Sequence, residues 1–199
     1  MLDLLVIALT FGAIFVVELP DKTFIATLVM STKMRPLFVW VGVGLAFFVQ
    51  TLVAVGLGKA ASFLPDTAVH VAAAVMFTIG AIILLREARS ADDADTESEY
   101  ADRADSGARG LKVVITSFLV LFAAEWGDLS QLLTLSLVAK YDDPLSVFLG
   151  AWGALLTVSG LAVIVGRLLL QRVRLSVLHY VGAAVCVFMA ALTVWEMTR

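Results

Sequence analysis

Long apolar stretches alternate with shorter polar ones along the whole chain, and six of these stretches are long enough to cross a bilayer. A hydrocarbon core of about 30 Å needs roughly 20 mostly apolar residues in a helix. The predicted spans cover residues 4–31, 37–57, 68–85, 112–139, 145–166 and 177–195. Because lipid offers no hydrogen-bond partner to a backbone, the spans are expected to be helices. The pattern therefore predicts an all-α integral membrane protein with six transmembrane helices.

Composition excludes a soluble domain. Of the 199 residues, 61% are hydrophobic and 16% are charged, whereas soluble domains average about 45–50% apolar and about 25% charged residues. The net charge of −3 and the lack of a basic cluster give no indication of nucleic-acid binding. No lysine or arginine precedes the first apolar run, so we expect this run to be a retained helix and not a signal peptide.

Residues 86–110 interrupt the apolar pattern. This segment, REARSADDADTESEYADRADSGARG, contains eight acidic residues and four arginines. So polar a sequence cannot bury enough apolar surface to fold by itself. We therefore expect a solvated linker at 86–110 between a first unit, residues 1–85, and a second unit, residues 111–199.

The two units are similar in sequence. ELPDKTFIATL (18–28) aligns with EWGDLSQLLTL (125–135) at an offset of 107 residues, and RPLFVWVG (35–42) aligns with DPLSVFLG (143–150) at an offset of 108. Because three spans are an odd number, the second unit must enter the membrane from the opposite side. The sequence thus predicts two inverted three-helix repeats, an arrangement of secondary transporters whose sites lie near the midplane between the repeats.

The basic residues predict the orientation, since cytoplasmic loops carry an excess of lysine and arginine. The loops after spans one, three and five contain ten basic residues, namely Lys33, Arg35, Arg86, Arg89, Arg103, Arg109, Lys112, Arg167, Arg172 and Arg174. The other side has three, Lys59, Lys140 and Arg199. We expect the linker to be cytoplasmic and both termini to be outside, in the plasma membrane of a bacterium.

Four acidic residues lie inside the first and fourth spans. Glu18 and Asp21 are three residues apart and so share one face of a helix, and Glu125 and Asp128 repeat the arrangement. Each aspartate near the middle of a membrane costs about 2.5–3.5 kcal/mol on insertion scales, so four carboxylates cost roughly 10 kcal/mol. A cost of this size favours a functional role over a structural one.

The helices are expected to be interrupted beside these acidic residues. Pro20 has no backbone N–H and disrupts a regular helix, and Gly127 occupies the equivalent position. Carbonyl groups released by the breaks would join the carboxylates in an all-oxygen site. Hard cations such as Ca²⁺, Mg²⁺ and Mn²⁺ prefer such ligands, and no cysteine or histidine lies near either motif.

The charge of this cluster suggests how transport is driven. Four carboxylates and Lys22 carry a net charge of −3, which one divalent cation would reduce to −1. Like charges in a low dielectric repel, so protons are expected to bind when the metal leaves. Competition between metal and protons for one site is the physical basis of an antiporter.

The segments ELPDKT and EWGDLSQ resemble the duplicated E-x-G-D-[KR]-[ST] motifs of a small family of membrane transporters from bacteria, chloroplasts and the Golgi. The resemblance covers the whole chain and implies exchange of Ca²⁺ or Mn²⁺ for protons, without enzymatic activity and without a cofactor. It also implies that the cation ligands are Glu18, Asp21, Glu125 and Asp128. Thr23, Ser130 and Gln131 would line the path.

Two positions depart from the family pattern. Pro20 replaces the usual glycine, which fits a broken helix. Leu129 replaces a lysine or arginine, so any role of paired basic residues falls to Lys22 alone. We therefore expect the two halves to be electrostatically unequal.

Other residues within the spans suggest narrower roles. Gln50 and Thr51 either face the path or hydrogen-bond another helix. Trp126 lies inside the second motif and is expected to shape the cavity. Four glycines are expected to allow close helix packing and not to bind a ligand, namely Gly42, Gly44, Gly150 and Gly153.

Three classes of function fit the sequence to different degrees. The favoured one is a divalent-cation/proton antiporter that exports Mn²⁺ from the cytoplasm, with Ca²⁺ a close second. The alternative is an exporter of small organic cations or amino acids, for which the motifs offer few apolar or aromatic walls. A membrane scaffold without transport is disfavoured by the duplicated carboxylates. The choice between the two metals and the presence of a homo-oligomer stay open.

Overall fold

The computed structural model describes residues 2–19, 21–61, 66–87, 109–172, 180, 183–184, 186–188, 190–191 and 193–195. All regular structure within these residues is helical. The helices with defined bounds are α1 (Leu4–Glu18), α2 (Lys22–Lys33), α3 (Pro36–Ala61), α4 (Asp66–Glu87), α5 (Leu111–Ala124), α6 (Leu129–Tyr141) and α7 (Pro144–Arg172). The described residues between 180 and 195 are also helical. Most of the predicted linker and the whole of Pro20 lie outside the described residues.

Among the described residues, two helices are long and apolar enough to cross a membrane, Pro36–Ala60 of α3 and Pro144–Ile164 of α7. The first and fourth predicted spans are each divided into two helices, α1 with α2 and α5 with α6, which are bent by 70° and 73°. If each bent pair is one span, the described part has up to four spans. An all-helical membrane protein is confirmed, and the full number of six spans stays a prediction.

The helices end at both acidic motifs, as the sequence predicts. α1 ends at Glu18 and α2 starts after Asp21, while α5 ends one residue before Glu125 and α6 starts after Asp128. In the second break Gly127 has a φ of 78°, a left-handed conformation that glycine adopts without steric cost. Both glutamates thus lie at the C-terminal end of a half-helix and both aspartates at the N-terminal end of the next.

Glycines bring the helices of the two units into close contact. A Cβ atom at Gly42 of α3 would overlap the carbonyl oxygen of Val114 in α5, and one at Gly150 of α7 would lie 2.7 Å from that of Ile7 in α1. The predicted packing role is therefore confirmed at these two positions. At Gly153 the nearest atom would be 3.8 Å away, so this glycine is not required by close packing.

The ends of four helices, α1, α3, α6 and α7, meet at one face of the protein. Lys59 Nζ near the end of α3 lies 2.6 Å from Asp142 Oδ1, and the backbone N–H of Asp3 donates to Ser146 Oγ at 2.9 Å. We call this the Lys59 face. The 26-residue α3 rises about 1.5 Å per residue and begins after Arg35 at the opposite end, which we call the Arg35 face.

Candidate metal centre

The four predicted carboxylates come together where the two broken helices meet. One oxygen atom from each of Glu18, Asp21, Glu125 and Asp128 lies within 4.8 Å of all the others. Ca²⁺ binds oxygen at 2.3–2.6 Å, so two ligands on opposite sides of the ion are about 4.6–5.2 Å apart. The spacing of the carboxylates is therefore that of ligands around one divalent cation.

The cluster is buried to different depths. Glu18 and Glu125 are only 1% and 2% exposed, whereas Asp21 and Asp128 are partly exposed. Each aspartate occupies the N-cap position of its helix, but neither side chain caps that helix. The N-terminal ends of α2 and α6 carry partial positive charge, which stabilises the negative charge gathered there.

Hydroxyl groups from both units contact Glu18. Thr23 Oγ1 donates a buried hydrogen bond of 2.8 Å to Glu18 Oε1. Ser130, the counterpart of Thr23 in the second unit, also lies close enough to interact with this carboxylate. Among the described residues no hydrogen-bond donor reaches the buried Glu18 Oε2. This oxygen is therefore available to a cation.

Two glutamine side chains brace the second helix break. Gln131 Oε1 accepts a hydrogen bond of 2.8 Å from the N–H of Gly127, and its Nε2 donates to the carbonyl oxygen of Gln50 at 3.4 Å. Gln50 Nε2 in turn donates to the carbonyl oxygen of Phe122 at 3.1 Å. The helix–helix hydrogen bond considered for Gln50 is thus present. The bond from Gly127 to Gln131 was not predicted.

A small cavity beside Glu125 is large enough for about one water molecule. Its apolar wall consists of Phe47 and Leu155. Its polar wall consists of Gln50, Thr51, Glu125, Ser130, Gln131 and Thr134. Gln50 therefore lines this cavity in addition to bonding another helix. Sequence reasoning missed Thr134, although it follows Ser130 by four residues and so lies on the same face of α6.

The expectation for Trp126 is wrong. Its side chain is 59% exposed and packs on the ring of Phe122, with ring centroids 5.1 Å apart. It does not line the cavity beside Glu125. The turn at residues 125–127, which ends in the left-handed Gly127, directs the indole away from the site.

Position 129, where the family pattern has a lysine or arginine, is occupied by a leucine that makes an apolar contact. Leu129 is buried, and a Cβ atom at Gly80 of α4 would lie 2.8 Å from its Cδ1. This leucine therefore packs between the two units. Lys22 is the first residue of α2, but its side chain lies outside the described part of the chain, so its role stays a prediction.

The model of one protein family, described as divalent cation/proton antiporter GDT1, matches residues 6–92 and 113–199. The chain belongs to this family. It is 30% identical over 192 residues to GDT1-like protein sll0615 of Synechocystis, covering 92% of this chain and 93% of the relative. It is 31% identical over 210 residues to the chloroplast protein PAM71 of Arabidopsis thaliana, covering 96% of this chain and 56% of the relative. No solved structure matches the chain.

Membership of the GDT1 family confirms the resemblance carried by the two acidic motifs. The family consists of divalent cation/proton antiporters, so the chain is a membrane transporter and not an enzyme. Its substrates are a divalent cation and protons, and no cofactor is expected.

Proposed function

We propose that the chain exchanges Mn²⁺, with Ca²⁺ a close second, for protons and exports the metal from the cytoplasm. The observation that supports this most directly is the group of four acidic oxygen atoms within 4.8 Å of one another. Two of their side chains are almost fully buried. Charges of one sign are not retained inside a membrane protein unless a cation or protons balance them.

The proposed ligands are Glu18, Asp21, Glu125 and Asp128. Thr23 and Ser130 orient the Glu18 carboxylate by hydrogen bonding or close contact. Gln131 and Gln50 support the second break. Carboxylate and hydroxyl oxygens suit Ca²⁺, Mg²⁺ and Mn²⁺ alike. Mn²⁺ is placed first by family resemblance and not by the ligand set.

Two inverted three-helix repeats, residues 1–85 and 111–199, are the proposed architecture. The family model matches twice, with starts at residues 6 and 113, which supports a duplicated unit. Contacts between the units are also reciprocal, because α3 meets α5 at Gly42 and Val114 whereas α7 meets α1 at Gly150 and Ile7. These pairs are related by the offsets of 108 and 107 residues that align the two units.

Proton coupling follows from the charge of the site. Metal coordination requires ionised carboxylates, so protons and metal exclude each other from the same oxygen atoms. When the metal leaves, repulsion between four adjacent carboxylates favours protonation of some of them. Access to the site then changes from one side of the membrane to the other with protons in place of metal, which is antiport.

The alternative, export of organic cations or amino acids, gains no support from the described residues. The cavity beside Glu125 accommodates about one water molecule. A metal ion that has lost most of its water fits this space, and an organic solute does not.

Flux measurements in proteoliposomes test the proposal. We expect an imposed pH gradient to drive the uptake of Mn²⁺ and Ca²⁺, with protons moving in the opposite direction. Equilibrium metal affinity should fall as pH is lowered from about 8 to about 5.5, because protons compete for the carboxylates. An affinity that is constant over this range, or metal flux without proton movement, would contradict antiport.

A further inference from the structure

The two sides of the metal centre have different chemical character. The repeat alignment pairs Gln131 with Phe24 at an offset of 107 residues and Gln50 with Val158 at an offset of 108. Thus two amide side chains on one side correspond to two apolar side chains on the other. If the repeats build one site between them, its two approaches differ in polarity at these two pairs of positions.

The apolar side is closely packed. Phe24 and Leu28 of α2 form a buried cluster with Val158 and Ala162 of α7. Further apolar side chains, namely Phe15, Leu19 and Leu161, pack against this cluster. Phe24 is only 2% exposed and directly follows Thr23, which binds Glu18. The cluster therefore lies near the first glutamate of the centre.

The polar side contains the cavity beside Glu125. Thr51 lines this cavity and is 3% exposed, and its Oγ1 has no hydrogen-bond partner among the described residues. Its counterpart at an offset of 108, Ser159, instead donates to the carbonyl oxygen of Leu155 at 2.8 Å. A buried hydroxyl without a partner has lost its hydrogen bonds to water without replacement. The Thr51 hydroxyl is therefore available to water or to an ion that enters this cavity.

The course of the half-helices assigns each side to a face of the protein. α6 runs from Asp128 at the centre to Asp142, which pairs with Lys59, so Thr134 lies on the way from the centre to the Lys59 face. α2 runs from Asp21 to Lys33, so Leu28 lies on the way to the Arg35 face. The polar cavity and the apolar cluster consequently lie on opposite sides of the carboxylates.

We propose that the cation reaches the four carboxylates from the Lys59 face through the cavity at Thr51 and Thr134, and that Phe24 and Val158 seal the centre toward the Arg35 face. The proposal rests on the proposed function for the identity of the ion. The structure is then the state in which the site is accessible from the Lys59 side. A hydrated ion cannot pass the apolar cluster without losing its water to an environment that offers no ligand.

Thiol reactivity at two equivalent positions tests this access route. Cys186 is the only cysteine of the chain, so a Cys186→Ala parent provides a background without thiols. Thr51→Cys and Ser159→Cys are small changes at matched, equally buried positions. Purified full-length protein in detergent is treated with Hg²⁺, a thiol-reactive ion small enough for the cavity, at fixed pH without Mn²⁺ or Ca²⁺, and the initial rates of thiol loss are compared. We expect Thr51→Cys to react several-fold faster than Ser159→Cys, and Mn²⁺ to slow that reaction.

Replacement of the seal provides a second measurement. In the Ser159→Cys background, Phe24→Gln introduces the residue found at the equivalent position of the polar side. It should make the thiol introduced at position 159 reactive, whereas Phe24→Leu, which keeps the cluster apolar, should not. Equal rates at the two introduced thiols, a faster reaction at position 159, or no effect of Phe24→Gln would overturn the proposal.

The proposed function is tested separately in the same proteins. The Cys186→Ala parent should still exchange metal for protons in proteoliposomes. Loss of exchange in a folded parent, together with loss of Mn²⁺ protection in Thr51→Cys, would refute the proposed function, while the rate contrast measured without Mn²⁺ or Ca²⁺ would still decide the access route. If Thr51→Cys fails to fold, the Phe24→Gln and Phe24→Leu comparison decides it alone.

Discussion

Glu18 and Glu125 end up almost completely buried, and Asp21 and Asp128 start the helices that follow them. All four positions could be predicted from the sequence, because an acidic pair in an apolar span has few explanations other than an ion site. The cavity and its Thr51 hydroxyl could not be predicted with certainty. They depend on contacts between α3 and α6, which are distant in sequence, and the sequence allowed either a path or a helix–helix role there.

The two aspartates are predicted to act as parts of one site. Asp21→Asn and Asp128→Asn should each reduce metal-driven proton flux to near the background of empty liposomes. The double variant should be scarcely worse, because groups that act as a unit give strongly non-additive losses. Flux is measured with a pH-sensitive dye inside proteoliposomes containing equal amounts of folded protein.

Asp142→Asn is the matched control for this prediction. Asp142 is exposed and pairs with Lys59 at the surface, and exposed ion pairs contribute about 0–1 kcal/mol. This variant should therefore transport at close to the unmodified rate. Near-normal flux in one motif variant and none in the other would show that the two motifs do not share one site.

Among the elements, the broken helices determine where the carboxylates lie. Pro20 and Gly127 predicted that both spans would be interrupted, and the helices do end on either side of these residues. The sharp bends of 70° and 73° were not predicted. The direction of a half-helix depends on the helices it packs against, here α3 and α7, and local sequence does not encode that packing.

Gly127→Ala is predicted to destabilise the second break. Space is not the obstacle, since no atom lies within 4 Å of the added Cβ. The cost comes from the backbone, because φ is 78° and a left-handed conformation costs a residue with a side chain about 1–2 kcal/mol. We expect a lower midpoint of thermal unfolding in detergent and weaker metal binding, since Glu125 and Asp128 flank the turn.

Gly12→Ala is the control, because Gly12 lies inside α1 and its added Cβ also meets no atom within 4 Å. There alanine should be neutral or stabilise the helix by up to about 1 kcal/mol. If both variants lower the unfolding midpoint equally, the left-handed turn is not the cause of the loss at Gly127.

At the scale of the whole molecule, contacts among the described residues indicate that three segments lie on the same side of the membrane. These are the N-terminus, the loop after α3 and the loop after α6. The contacts from Asp3 to Ser146 and from Lys59 to Asp142 hold these segments together at the Lys59 face. The six-span prediction requires the same placement, because the chain crosses the membrane an even number of times between one of these segments and the next. The predicted linker should then lie on the opposite side, where the loops, including the linker, contain the ten basic residues.

The orientation of the molecule is predicted from those basic residues, which place the Arg35 face in the cytoplasm. In the Cys186→Ala parent, Asp142→Cys on the Lys59 face should react with a membrane-impermeant maleimide added to intact cells. Ser98→Cys in the predicted linker should react only after the cells are permeabilised. If the labelling has this outcome and the ion enters through the cavity at Thr51, the structure is open toward the outside. An exporter in this state releases metal and takes up protons. Labelling of Ser98→Cys but not Asp142→Cys in intact cells would reverse the orientation, and the same exchange reaction would then import the metal.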